Sequence, residues 1–187
     1  MDIYPKKLKG KCFRIKRIAV IGCSGGGKST LARAMSKILK LPVYHLDSFY
    51  WKPGWLPTAD EEWIPIAKDL ASRDEWIIDG GYSSTLDDRL KRADLVILLD
   101  MPRYLCMYRI IKRRLEYRGK TRPDMGQGCP EKLDWEFISW VFNYNKRVKP
   151  KILERIDRLG VADKLVTLKS QREVDSYLES LGRQEPS

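Results

Sequence analysis

Apolar positions along this chain follow two patterns that take turns. Short unbroken runs occur at Arg17-Ile18-Ala19-Val20-Ile21, Val43-Tyr44-His45-Leu46, Trp76-Ile77-Ile78 within 75–82, Leu95-Val96-Ile97-Leu98-Leu99 and Lys164-Leu165-Val166-Thr167-Leu168. Runs of this length predict short buried strands. Between them apolar residues recur three and four apart, the helical period. Leu31, Met35, Ile38 and Leu39 mark a helix over Thr30–Leu39. Thr58-Ala59-Asp60-Glu61 has the form of a capping box and opens a helix to about Arg73, in which Pro65 predicts a kink or a broken first turn. A short charged helix starts at Ser84 or Thr85 and runs through Arg92. A longer one spans Arg103–Arg118, with Tyr104, Leu105, Tyr108, Ile111 and Leu115 among its apolar positions. Pro130 and Glu131 begin an aromatic-rich helix towards Arg147, Pro150 breaks it, and a shorter helix follows to Gly160. Ser170-Gln171-Arg172-Glu173 is a second capping box, opening the C-terminal helix.

This alternation predicts a single α/β domain over 1–187, with a parallel sheet of about five strands, helices on both faces and a helical lid after the fourth strand. The lid helix and loop occupy about 103–130, residues 1–16 form a basic arm, and 183–187 a frayed tail. A chain of 187 residues suits one core, and 43% apolar with 33% charged residues excludes a disordered chain. No apolar run approaches a membrane span and the N-terminus lacks the apolar block of a signal peptide, so no membrane partner is expected. Four scattered cysteines and the lone His45 form no zinc pattern, which leaves a reduced, cytoplasmic protein as the expectation. The oligomeric state is not legible.

The formal net charge of +11 calls for either a nucleic-acid surface or a site that gathers anionic phosphates. Lys6, Lys7, Lys9, Lys11, Arg14 and Lys16 of the arm read as a solvated extension or as a nucleic-acid contact. The second source of demand for positive charge is chemical. Gly22-Cys23-Ser24-Gly25-Gly26-Gly27-Lys28-Ser29 satisfies G-x-x-x-x-G-K-[ST] between a strand and a helix. Small residues there let backbone N–H groups curl around phosphate oxygens, and the helix N-terminus adds positive potential. Nucleotide contact is therefore expected over Gly22–Thr30, with Thr30 just inside the helix. Lys28 is placed to neutralise the β- and γ-phosphates and the Ser29 hydroxyl to hold Mg²⁺.

Two acids stand at strand ends. Asp47 follows the second strand, where a carboxylate can orient or deprotonate an acceptor hydroxyl. Asp79, after Trp76-Ile77-Ile78, fits a Walker B position that orders the Mg²⁺ shell, and the next residue is Gly80 rather than the acid that a motor ATPase uses on water. Asp100 reads as a loop or capping residue. Trp51-Lys52-Pro53-Gly54-Trp55-Leu56-Pro57 is a turn-rich aromatic loop that could stack on an acceptor ring or cover the core edge. Arg109 with Arg113, and Arg114 with Arg118, share helix faces, and Arg122 follows in the loop. They read either as a solvated basic face or as a clamp on transferring phosphate.

The order of these elements resembles the adenylate kinase-like group of small P-loop kinases, a three-layer P-loop NTPase fold. Asp47-Ser48-Phe49-Tyr50 is similar to the Asp-x-Phe-Tyr stretch of uridine kinases, and Ile77-Ile78-Asp79-Gly80 to the Asp-Gly of adenylate kinases. The segments HLDSFYWKPGW, WIIDGGYSSTL and YRGKTRPDMGQGCPEKLDWEF, with the NYNKR region, resemble the bacterial DNA topology modulation proteins, an adenylate kinase-related family. The resemblance implies an ATP or GTP site at Gly22–Thr30, Mg²⁺ with Ser29, and phosphate-sensing arginines among Arg109, Arg113, Arg114, Arg118 and Arg122. Gly81-Tyr82-Ser83 stands where adenylate kinases carry a Pro-Arg that grips the acceptor phosphate.

The expected function is ATP-dependent transfer of a phosphoryl group to a small acceptor such as a nucleoside or nucleotide. Tyr50, Trp51, Trp55, Gly80, Gly81, Tyr82 and Arg122 join Asp47 as acceptor-side candidates. A nucleotide-regulated nucleic-acid binder is the alternative. A GTPase switch fits worst, because Asn145-Lys146-Arg147 is followed by Val148 and the guanine-reading Asn-Lys-x-Asp is missing.

Overall fold

The computed structural model describes residues 15–183; most of the basic arm and the last four residues of the tail lie outside them. Five strands, β1 (Arg17–Gly22), β2 (Val43–His45), β5 (Trp76–Asp79), β6 (Leu95–Leu99) and β7 (Leu165–Leu168), form one parallel sheet in the order β2-β5-β1-β6-β7. Their unbroken apolar runs are explained by burial: every residue of β5 and β6, and β1 from Ile18 onward, is buried. Helices α1 (Lys28–Leu39) and α8 (Gln171–Gly182) pack together, as do α3 (Asp60–Ser72) and α4 (Leu86–Arg92), with α1 and α8 also touching the strands, as do α3 and α4. The result is the three-layer α/β arrangement of P-loop NTPases. Strand order reverses at β1, so the loop leaving β1 opens at the switch point where ligands of such sheets bind.

The remaining helices build the lid side. Helix α5 (Arg103–Glu116) packs on α6 (Trp135–Arg147), which passes through Val148 to α7 (Lys149–Arg158), with Pro150 in the first turn of α7, where its missing N–H costs nothing. Ser170 caps α8 as expected, accepting from the Glu173 N–H at 3.2 Å, while the Glu173 carboxylate accepts from the Lys169 N–H.

Several sequence expectations change. Leu46 does not extend β2; residues Leu46–Tyr50 form a short helix, α2, with the Asp47 carboxylate in its first turn, where the helix dipole favours it, and the Ser48 hydroxyl donating to His45 O at 2.7 Å. The aromatic loop after it is a small antiparallel hairpin, β3 (Trp51–Lys52) and β4 (Leu56–Pro57). Thr58 is not the cap of α3: the cap position is Ala59, and the Thr58 hydroxyl donates instead to Tyr50 O at 2.6 Å, tying the hairpin's exit to α2. Helix α3 continues through Pro65 with no broken first turn. Helix α6 starts at Trp135 rather than at Pro130 or Glu131, since Asp134 takes the cap by accepting from the Phe137 N–H at 2.8 Å. Glu131 is drawn inward to two arginines instead. On α5 the inward face is Cys106 and Ile110, and Tyr104, Tyr108, Ile111 and Leu115 are exposed.

Candidate active site

The carboxyl ends of β1, β2 and β5 open into a cleft of about 230 Å³. From the loop after β1, Ser24, Gly25, Gly27, Lys28, Ser29 and Thr30 line it, while Gly22, Cys23 and Gly26 are buried behind. The chain turns this tightly because Gly25 has φ +76° and a Cβ there would stand 2.5 Å from Cys106 O of α5. The neighbouring Cys106 thiol and burial push the pKa of the free Cys23 thiol well above the ordinary range, and its Sγ donates to Val141 O of α6 at 3.8 Å, so Cys23 packs rather than reacts. Lys28 Nζ donates to Cys23 O at 3.0 Å, and Arg109 reaches Gly26 O at 3.5 Å and Gln171 Oε1 at 2.8 Å. Both cations thus hold uncharged oxygens that phosphate can replace.

Both strand-end acids face the same cleft. Asp79, 4% exposed, lies 2.7 Å from His45 Nδ1 through Oδ1. Burial would lower the His45 pKa, but the Asp79 carboxylate outweighs it and holds the imidazole above its ordinary value. Asp47 accepts the Tyr82 hydroxyl at 2.6 Å on Oδ1. Burial first, and then Asp47, push the Tyr82 phenol far above its usual range, so it stays a donor. The loop 80–82 that carries Tyr82 is fixed from below. Arg89, fully buried, donates to Gly80 O at 2.9 Å, Gly81 O at 2.5 Å and Tyr82 O at 3.3 Å. Its burial lowers the guanidinium pKa to about 10.

Helix α5 and the loop after it bring a charge network to the cleft. Glu131 is nearly inaccessible and lies 2.7 Å from Arg113 Nε through one oxygen and 2.7 Å from Arg122 Nε through the other, the second contact misaligned for a hydrogen bond. Arg122 also donates to Asp124 at 3.0 Å. Burial would raise the Asp124 carboxyl, but the neighbouring Arg122 outweighs it and the carboxyl is held low. Burial and the neighbouring Arg122 lower the Arg113 pKa.

Of the expected site residues, the cleft gathers Lys28, Ser29, Asp47, Asp79, Gly80, Arg109, Arg113 and Arg122. Arg114 and Arg118, on α5 and just beyond it, lie outside its lining, as do Tyr50, Trp51, Trp55, Gly81 and Tyr82. Tyr50 packs on Trp51, Trp63 and Tyr82. The tryptophans serve the lid: Trp55 Nε1 donates to Pro130 O at 2.7 Å, and a Cβ on Gly126 would stand 2.5 Å from Trp51 O. Asp100 is paired with Lys149 at 3.0 Å. Arg33, His45, Tyr117 and Asp124 also line the cleft and were not singled out from the sequence. Arg33 had a signal, one helical turn past Ser29; Asp124, alone in a loop, had none.

No family model matches the chain. The uncharacterised protein YqaC of Bacillus subtilis strain 168 is 29% identical to it over 134 residues, 70% of this chain and 73% of that protein. A kinase candidate from Chloroflexus aurantiacus J-10-fl superposes with a TM-score of 0.54 at 13% identity, covering 93% of this chain and all of that one. A shikimate kinase from Bacteroides thetaiotaomicron gives 0.51 at 14% identity, covering 90% and 97%. At these identities the likeness is one of fold, and the fold is that of the small P-loop kinases.

Proposed function

We propose that this chain is an ATP-dependent phosphotransferase acting on the hydroxyl of a small acceptor. The observation that carries the reading is that the P-loop, both strand-end carboxylates and three lid-side arginines line one cleft. Lys28 exchanges Cys23 O for β- and γ-phosphate oxygens, and Arg109 does the same from α5. Asp47, oriented by Tyr82, accepts the proton of the acceptor hydroxyl. The acceptor oxygen forms the new O–P bond as the bond from the γ-phosphorus to the bridging oxygen breaks, and ADP leaves. Arg113 and Arg122 stabilise charge on the transferred group, and the lid excludes water.

Ser29 and Asp79 line the same cleft, and one hydroxyl with one carboxylate suits a Mg²⁺ ion that would take its other ligands from phosphates and waters. When bound, that ion would supply charge neutralisation on the phosphates. The reading makes the protein one cytoplasmic domain; among the described residues no helix is long and apolar enough to cross a membrane.

The test is ADP release from Mg-ATP across nucleosides, nucleoside monophosphates, sugars, hydroxy acids and short DNA. One acceptor class should raise release, and Lys28→Ala should abolish it with the fold retained; undiminished transfer in that variant sinks the scheme. The net charge of +11 supports a second reading, a nucleotide-regulated nucleic-acid binder of the DNA topology modulation type. Release raised by DNA alone would favour it.

A further inference from the structure

The cations of the cleft differ in what they already hold. Arg113 and Arg122 are neutralised within the lid by Glu131 and Asp124. Lys28 and Arg109 bond only to uncharged oxygens on the P-loop side, which suits them to the nucleotide phosphates. Arg33 is a fifth cation in the lining, and among the described residues it has neither an ion pair nor a hydrogen bond. Its own helix offers it nothing, since α1 contains no acid. It shares the cleft lining with His45 at the end of β2, with Asp47 just beyond that strand and with Asp124, and its helix α1 packs against β2. Arg33 therefore stands on the β2 side of the cleft.

The other groups on that side cannot hold an anion. Asp47 is itself anionic, the His45 imidazole is bonded to Asp79, and the loop 80–82 contributes backbone and a tyrosine that is spent on Asp47. The guanidinium nearest that loop, Arg89, is buried beneath it and spent on carbonyl oxygens. A wholly neutral acceptor would leave Arg33 unused in the lining. An acceptor with a negative group beside its hydroxyl would pair with it and be kept from approaching Asp47 the wrong way round.

We propose that Arg33 is the acceptor-recognition cation of this site, and that the acceptor is a hydroxyl compound bearing a carboxylate or phosphate. The proposal rests on the phosphotransferase reading for its chemistry, but the anion subsite can be measured without turnover. Protein saturated with Mg-AMP-PNP, so that the P-loop is filled, is titrated calorimetrically with malonate and with inorganic phosphate. At least one should bind, and Arg33→Gln should weaken it by about tenfold to a hundredfold, the loss of one charge-assisted contact, with Arg33→Lys recovering part. The stronger of the two identifies the anion.

Turnover is then compared across glycerol, glycerate and glycerol 3-phosphate, with related sugars, sugar acids and sugar phosphates. An anionic member should be preferred, and Arg33→Gln should raise KM for that acceptor much more than it lowers kcat or changes KM for Mg-ATP. A neutral acceptor preferred by the wild type, anion binding indifferent to Arg33, or a rise confined to KM for Mg-ATP would each overturn the proposal while leaving phosphotransfer intact. Arg33-dependent anion binding without transfer to any acceptor would uphold the subsite and remove the kinase reading.

Discussion

Arg89 shapes the candidate site from outside its lining. Arg89 sits fully buried on α4 and spends its guanidinium on the carbonyls of Gly80, Gly81 and Tyr82, which sets where the Tyr82 hydroxyl meets Asp47. Arg89→Met keeps the stem's volume and removes a desolvated charge, but it strands those carbonyls. We expect a net loss of about 2 kcal/mol of unfolding free energy, read from the urea midpoint. His45 acts from within the lining. Its folded pKa is raised, so the contribution of its pair with Asp79 is complete below the unfolded value of about 6.5 and is lost as pH climbs through the folded one. In metal-free protein, the stability gap between wild type and His45→Gln should shrink from pH 5.5 to pH 8.5; a gap that widens would refute it. From sequence these roles are hard to see. Arg89 is one of many basic residues, and burial, not identity, sets it apart.

At the scale of elements, the β3–β4 hairpin is the seat of the lid. Gly54 N–H donates to Gly128 O at 2.8 Å, Trp55 Nε1 to Pro130 O, and the Cys129 thiol to Lys52 O at 3.2 Å. Trp55→Phe keeps the ring against Trp51 and Lys132 but deletes one of these bonds. A loss of about 1 kcal/mol should speed amide exchange over 119–131 about fivefold, with acceptor-independent ADP release rising as water enters. Unchanged exchange there would detach the hairpin from the lid. The strands and most helices were legible because their patterns report burial directly. The hairpin was not, because two-residue strands carry no period and Trp51 and Trp55 look the same whether they cover a ligand or a loop. Helix α5 is a related case: Tyr104, Tyr108, Ile111 and Leu115 keep helical spacing on a face that meets solvent, so the pattern reports the helix without reporting its buried side.

For the molecule as a whole, the sheet order made the site readable at a distance. The P-loop follows the central strand, the two acids follow the strands beside and beyond it, and parallel pairing brings their ends together. Those contributions are fixed by topology, and the spacing of Gly22–Ser29, Asp47 and Asp79 announced them. What came from the loop after α5, Asp124 and Glu131 above all, depended on ion pairs with Arg113 and Arg122 and on a hairpin that reaches the loop across 75 residues, from Trp55 to Pro130, and no local pattern encodes those. The contact between Lys28 and Cys23 O carries a consequence of its own. The ammonium assigned to the phosphates is already held by a carbonyl of its own loop, so nucleotide does not simply add to this protein; it displaces a resident oxygen. Loading the site is then an exchange reaction. Its observed affinity is the intrinsic one diminished by the strength of the contact given up, and the carbonyl released keeps the Gly26 N–H as its partner.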